Sequence, residues 1–133
     1  MATINDVKAG VDEFFSLIKG SKLPPCHEIG ILNAQDKTFL KNVEWAPNAG
    51  VYFFFKNNEL KYVGRALIPT GLANRVFDQA TAFDDPKWDD VIKDTNSTVC
   101  VFPLPTSDWF WAASLEAFLI DKFRPSLVNR RSS

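Results

Sequence analysis

Cysteine and histidine are scarce here, with two and one among 133 residues. Cys26 and Cys100 show no regular spacing. Two cysteines are too few for a disulfide scaffold or a four-ligand zinc site, and they point to a reducing compartment. His27, beside Cys26 and after Pro24-Pro25, reads as a loop residue rather than a ligand. Long apolar runs are also missing. None approaches the ~20 residues that would span a bilayer. The opening segment carries charge throughout, unlike a secretory signal. These absences point to the cytoplasm and exclude a membrane partner. No Walker loop, GxGxxG motif or serine-centred elbow is present.

Excess positive charge is lacking too. The formal net charge is -1, which taken alone argues against a nucleic-acid partner. Its distribution argues otherwise. Residues 50–75 set Lys56, Lys61, Arg65 and Arg75 against Glu59, a balance of +3. Residues 116–133 set Lys122, Arg124, Arg130 and Arg131 against Glu116 and Asp121, a balance of +2. Residues 76–115 carry two lysines against seven aspartates, a balance of -5. A local basic face steers a phosphate ligand even on a nearly neutral protein, although scattered solvated charge gives the same counts.

What is present supports a folded domain. Hydrophobic residues make up 46%, with 12 phenylalanines, enough for one core at this length. Ile4, Val7, Val11, Phe14, Phe15 and Ile18 fall at helical spacing over residues 3–19, with Thr3 and Asp6 placed like a capping box and Gly20 as a stop. Residues 26–49 are mixed, with short strands expected near Glu28–Leu32 and Phe39–Trp45. Residues 50–65 read as a β-hairpin turning at Lys56-Asn57-Asn58-Glu59. A helix follows over 71–81, then a short one capped by Asp85 with Pro86 in its first turn. Thr98–Phe102 is the next strand. A last helix over 108–123 is capped by Ser107 or Asp108 and stopped by Arg124-Pro125. The order predicts an α+β fold in which a small antiparallel sheet is surrounded by helices. Residues 1–49 read as a helical and irregular extension packed on a core of 50–133.

The last helix carries the sharpest chemical signal. Trp109, Ala113, Glu116, Ile120 and Phe123 form one stripe, with the carboxylate of Glu116 in its middle. A buried carboxylate must be paired, protonated or bound to a cation, and a structural salt bridge to an arginine is the plain alternative to function. Tyr52 and Tyr62 lie in the two strands of the hairpin, where most tyrosines only pack. For them to share a face, the hairpin needs an odd-numbered loop or a bulge, with Asn58 left-handed. A two-residue turn alone would pair Phe53 with Tyr62. Arg75 reads by itself as a surface residue. The aspartates at 84, 85, 89, 90 and 94 read as helix capping and a solvated face rather than a metal cluster.

Taken in order, Gly50-Val51-Tyr52, Tyr62-Val63-Gly64, a helical Arg75, Glu116, Arg124-Pro125 and Asn129 resemble the GIY-YIG nuclease superfamily. The resemblance covers about residues 50–129. It implies a three-stranded antiparallel sheet flanked by helices and metal-dependent hydrolysis of phosphodiester bonds, usually in DNA. Carried over, Glu116 would hold one divalent ion, Mg²⁺ or Mn²⁺, which keeps much of its hydration. Arg75 would contact the scissile phosphate. Tyr52 would orient or deprotonate the attacking water, and Tyr62 would hydrogen-bond the phosphate or water. Arg65 would supply a cation beside a tyrosine, and Asn129 would brace the site. The chain departs from the pattern by about three extra residues within Leu67–Thr70 and by Gln79 where many members carry His or Tyr. A metal-dependent endonuclease is therefore expected. A catalytically idle nucleic-acid-binding or protein-interaction module, and a nuclease toxin domain held by a partner, are the alternatives. With so little net positive charge, binding to a polyanion calls for a homodimer or a protein partner.

Overall fold

A computed structural model describes residues 2–18 and 25–123. Helix α1 spans Ile4–Ile18. Its first turn is closed reciprocally: the Thr3 backbone N–H donates to Asp6 Oδ2 at 2.9 Å, and Asp6 N–H donates to Thr3 Oγ1 at 3.3 Å. Aspartate thus completes the capping box where glutamate is usual.

In residues 26–49 the strand expected near Glu28–Leu32 is present, shifted toward His27, and the rest differs from expectation. Strand β1 covers His27–Gly30 and runs directly into the one-turn helix α2, Ile31–Ala34. His27 is therefore a strand residue, paired with Val101, its ring 6.3 Å from that of Trp45. The strand expected near Phe39–Trp45 is instead the short helix α3, Lys37–Lys41. Asp36 nucleates it by accepting the backbone N–H groups of Thr38 at 3.0 Å and Phe39 at 3.2 Å. Local capping outweighed the apolar run, because Asp36 satisfies two of the donors a helix start leaves open.

The hairpin is β2, Gly50–Lys56, and β3, Glu59–Ala66. Its turn has two residues, Asn57 and Asn58, both left-handed at φ 53° and 58°. That geometry matches the twist of the flanking strands. A register shift between Phe54 and Phe55 follows, so that Phe54 pairs with Tyr62 while Phe55 pairs with Leu60. Lys61 is the extra, bulged residue. The bulge moves Tyr62 onto the face that carries Tyr52 and Phe54.

Helix α4 is Leu72–Ala80 and α5 is Pro86–Ile92, the latter capped by Asp85 accepting from Lys87 N–H at 2.9 Å. Strand β4 is Thr98–Pro103. A 3-10 turn at Thr106–Asp108 precedes α6, Trp111–Phe123, which starts three residues later than expected. The sheet is antiparallel throughout, in the order β1-β4-β2-β3. It has four strands rather than three, because β1 adds to the far side of β4.

Both faces of the sheet are covered, so β2 reads as a nearly continuous apolar run. Val51, Phe53 and Phe55 face α1 and α6, while Tyr52 and Phe54 face α2 to α5. Cys26 and Cys100 are joined as a disulfide across 74 residues, tying the start of β1 to β4. Joined in this way, the two cysteines no longer point to a reducing compartment. Among the described residues, no helix is long and apolar enough to cross a membrane.

Candidate active site

The two motif glycines sit where a side chain does not fit. A β-carbon at Gly50 would collide with the Phe102 carbonyl oxygen of the adjacent strand. One at Gly64 would collide with the Cζ and hydroxyl end of the Tyr52 ring. Tyr52 pairs with Gly64 across the hairpin, so its ring lies over the bare backbone of β3. It also stacks on Tyr62, with centroids 6.1 Å apart and planes at 24°. Tyr62 is held from outside by Trp88, 5.2 Å away.

Alternation along β3 sends Tyr62 and Arg65 to opposite faces of the sheet. Arg75 arrives from α4 on the Tyr62 side, and Glu116 from α6 on the Arg65 side. The two sets meet around the outer edge of β3. There a cavity of about 270 Å³ is lined by Tyr62, Arg65, Leu67, Thr70, Arg75 and Glu116. Leu67 and Thr70 bound the extra residues noted in the sequence, and so help to shape the cavity. Gln79 is not among the described lining residues; its carbonyl accepts the Trp88 indole N–H at 2.8 Å.

Glu116 is buried, as its place in the helix implied, but its companions differ. The buried face of α6 is Ala112, Leu115, Glu116 and Leu119. Trp109 precedes the helix and is exposed, so it does not belong to the stripe. The carboxylate receives a hydrogen-bonded ion pair from Arg65, Nη1 to Oε1 at 2.6 Å. Arg65, expected as a cation beside a tyrosine, lines the cavity with Tyr62 and also carries this pair to Glu116. Charge-assisted geometry of this length offsets much of the cost of burying the carboxylate.

Tyr52 is buried completely and does not line the cavity. Among the described residues its hydroxyl has no hydrogen bond of acceptable geometry. Desolvation pushes its pKa far up, Tyr62 and Glu116 add to the rise, and the nearby Arg75 guanidinium opposes it. At neutral pH the Tyr52 hydroxyl therefore keeps its proton. Asn129 lies outside the described residues.

Glu116 is the single carboxylate among the described residues that line the cavity. One carboxylate with space for several waters fits a hard divalent ion that keeps most of its hydration. Among the described residues no cluster of three or more His, Cys, Asp or Glu could hold a metal. A four-ligand zinc site is thus not matched.

No family model and no curated protein matches the chain. Solved structures do. The GIY-YIG N-terminal endonuclease domain of UvrC from Thermotoga maritima, in its magnesium-bound form, is 24% identical, with a TM-score of 0.49, over 65% of this chain and 89% of that one. Two point mutants of the same domain bound to the catalytic divalent cation are 24% and 25% identical, each with a TM-score of 0.48 over 68% of this chain and 92% of theirs. These three structures are GIY-YIG endonuclease domains.

Proposed function

We propose that this chain is a metal-dependent endonuclease that hydrolyses phosphodiester bonds in DNA. The observation that supports it best is the convergence of Tyr62, Arg65, Arg75 and Glu116 on one cavity, above the buried hydroxyl of Tyr52. Glu116 would hold one Mg²⁺ or Mn²⁺, whose charge, when bound, favours departure of the leaving oxygen. Arg75 contacts a non-bridging oxygen of the scissile phosphate and offsets its growing charge. Tyr62 orients the attacking water. Tyr52, protonated, is a fixed donor behind Tyr62 rather than a proton acceptor. Arg65 holds the Glu116 carboxylate in one orientation. Asn129 braces the site, on the resemblance alone.

The Arg65–Glu116 pair favours a second reading, a binding module with the same fold whose carboxylate is already neutralised. Incubating supercoiled plasmid with the wild type and with Glu116→Ala, in Mg²⁺, Mn²⁺ or EDTA, separates them. The expected result is nicking that needs both metal and Glu116. Equal nicking by the variant ends the proposal, and a wild type that binds DNA without cutting it establishes the module.

A further inference from the structure

A second concavity, of about 410 Å³, adjoins the catalytic cavity and shares Thr70 with it. Helix α3 forms one wall through Lys37 and Lys41, and α4 forms the other through Asn74 and Phe77. The lysines are four residues apart, so they stand one above the other on one helical face, and both are exposed. Lys37 Nζ lies 5.3 Å over the Phe77 ring, a cation–π contact that holds its ammonium against the groove. Asn74 Nδ2 donates to the Thr70 carbonyl at 2.7 Å and fixes the segment dividing the two spaces. No carboxylate is among the described residues that line this groove. On a chain whose net charge is -1, such a tract of cations and apolar surface is selective. Aspartates elsewhere are engaged: Asp90 meets Lys56 at 2.6 Å, and Asp85 caps α5.

We infer that this groove seats the DNA strand where it leaves the catalytic cavity, with Lys37 and Lys41 on phosphates flanking the scissile one. The inference rests on the nuclease reading and extends it to a segment outside the resemblance. Arg75 follows Asn74 on α4 and faces the catalytic cavity, so one helix presents both spaces to one strand. Helix α3 thereby gives residues 26–49 a part in substrate binding. Lysine contacts to phosphate add affinity that is independent of sequence and falls with salt.

The test is fluorescence anisotropy of the full chain with a labelled DNA oligonucleotide, single-stranded and duplex, in EDTA across a salt series. Lys37→Ala with Lys41→Ala is expected to weaken the preferred form about tenfold at moderate salt and to lower the log–log salt slope by about 1.5. The paired Lys→Arg variant is expected to keep both values, and melting curves show that each variant is folded. Wild-type affinity and slope in the double alanine variant, with Glu116-dependent plasmid nicking intact, overturn the groove and leave the nuclease reading standing. A wild type that binds neither form and does not nick plasmid overturns both.

Discussion

Arg65 Nη1 lies 2.6 Å from Oε1 of Glu116, joining the edge strand β3 to α6 through a carboxylate that is 1% exposed. The guanidinium is 31% exposed, so water screens part of the pair. Breaking a fully buried pair costs about 3–5 kcal/mol, and this exposure reduces the expectation for Arg65→Met to about 1–2 kcal/mol. Arg65 also competes for the carboxylate that a divalent ion would use. Arg65→Met is therefore expected to melt below the wild type without metal and to gain more in Tm from Mn²⁺. Calorimetry with and without Mn²⁺ checks both signs. An equal gain in the two proteins shows that the pair does not oppose the ion.

Gly64 and Gly30 make a matched comparison of glycines in strands. A β-carbon at Gly64 would collide with the Tyr52 ring, whereas one at Gly30 meets nothing within 4 Å. Gly64→Ala must displace a fully buried aromatic ring and is expected to cost about 1–3 kcal/mol, with loss of cleavage. Gly30→Ala is expected to fall within about 0.5 kcal/mol of the wild type, as substitutions away from packed features do. Urea melts of the two variants give the difference. Equal midpoints would mean that Tyr52 moves aside without cost.

The hairpin was legible because two separate demands agreed. Alternation put Tyr52 and Tyr62 on one face only if a bulge intervened, and the Lys61 bulge is there. Caps were legible for the same local reason at Asp85 and Thr3. Helix α3 was not legible, and β1 was legible as a short strand near Glu28–Leu32 but not in its partner. His27–Gly30 is a strand because β4 offers it a partner some 70 residues away, and no local pattern encodes that pairing. The site was legible by residue type and not by role. Helical spacing placed Glu116 on a buried face, but which arginine reaches it depends on the hairpin register. Spacing likewise says nothing of how deeply Tyr52 lies.

The disulfide closes a long loop between Cys26 and Cys100. A crosslink over such a separation restricts the unfolded chain by about 4–5 kcal/mol in the loop-entropy account. Reductant is expected to lower Tm by roughly 15 °C at this chain length. Cys26→Ala with Cys100→Ala should melt low with or without reductant. Thermal melts of both proteins, with free-thiol titration of the unfolded wild type, measure the effect. Two free thiols and a Tm indifferent to reductant would show that the pair is not joined in solution.

Tyr52→Phe separates stability from chemistry. The hydroxyl is buried and makes no hydrogen bond of good geometry among the described residues, with the Arg75 guanidinium near it, so removing it deletes a desolvated polar group and leaves the ring packing unchanged. The variant is expected to be as stable as the wild type, or more stable by up to about 1 kcal/mol. The pH dependence has a definite sign. Burial, with Tyr62 next, raises the Tyr52 pKa in the folded chain above its ordinary value of 10.0. The folded state therefore keeps a proton that the unfolded state releases. Stability from this group is complete below pH 10 and declines as pH rises beyond it. Tyr52→Phe should lack that share of the alkaline loss, so its urea midpoint should fall less steeply than the wild type's above pH 10. Its plasmid nicking should drop at every pH if the hydroxyl serves the site as a donor. Parallel midpoints across the alkaline range would show that water reaches the hydroxyl, and unchanged nicking would remove Tyr52 from the chemistry altogether.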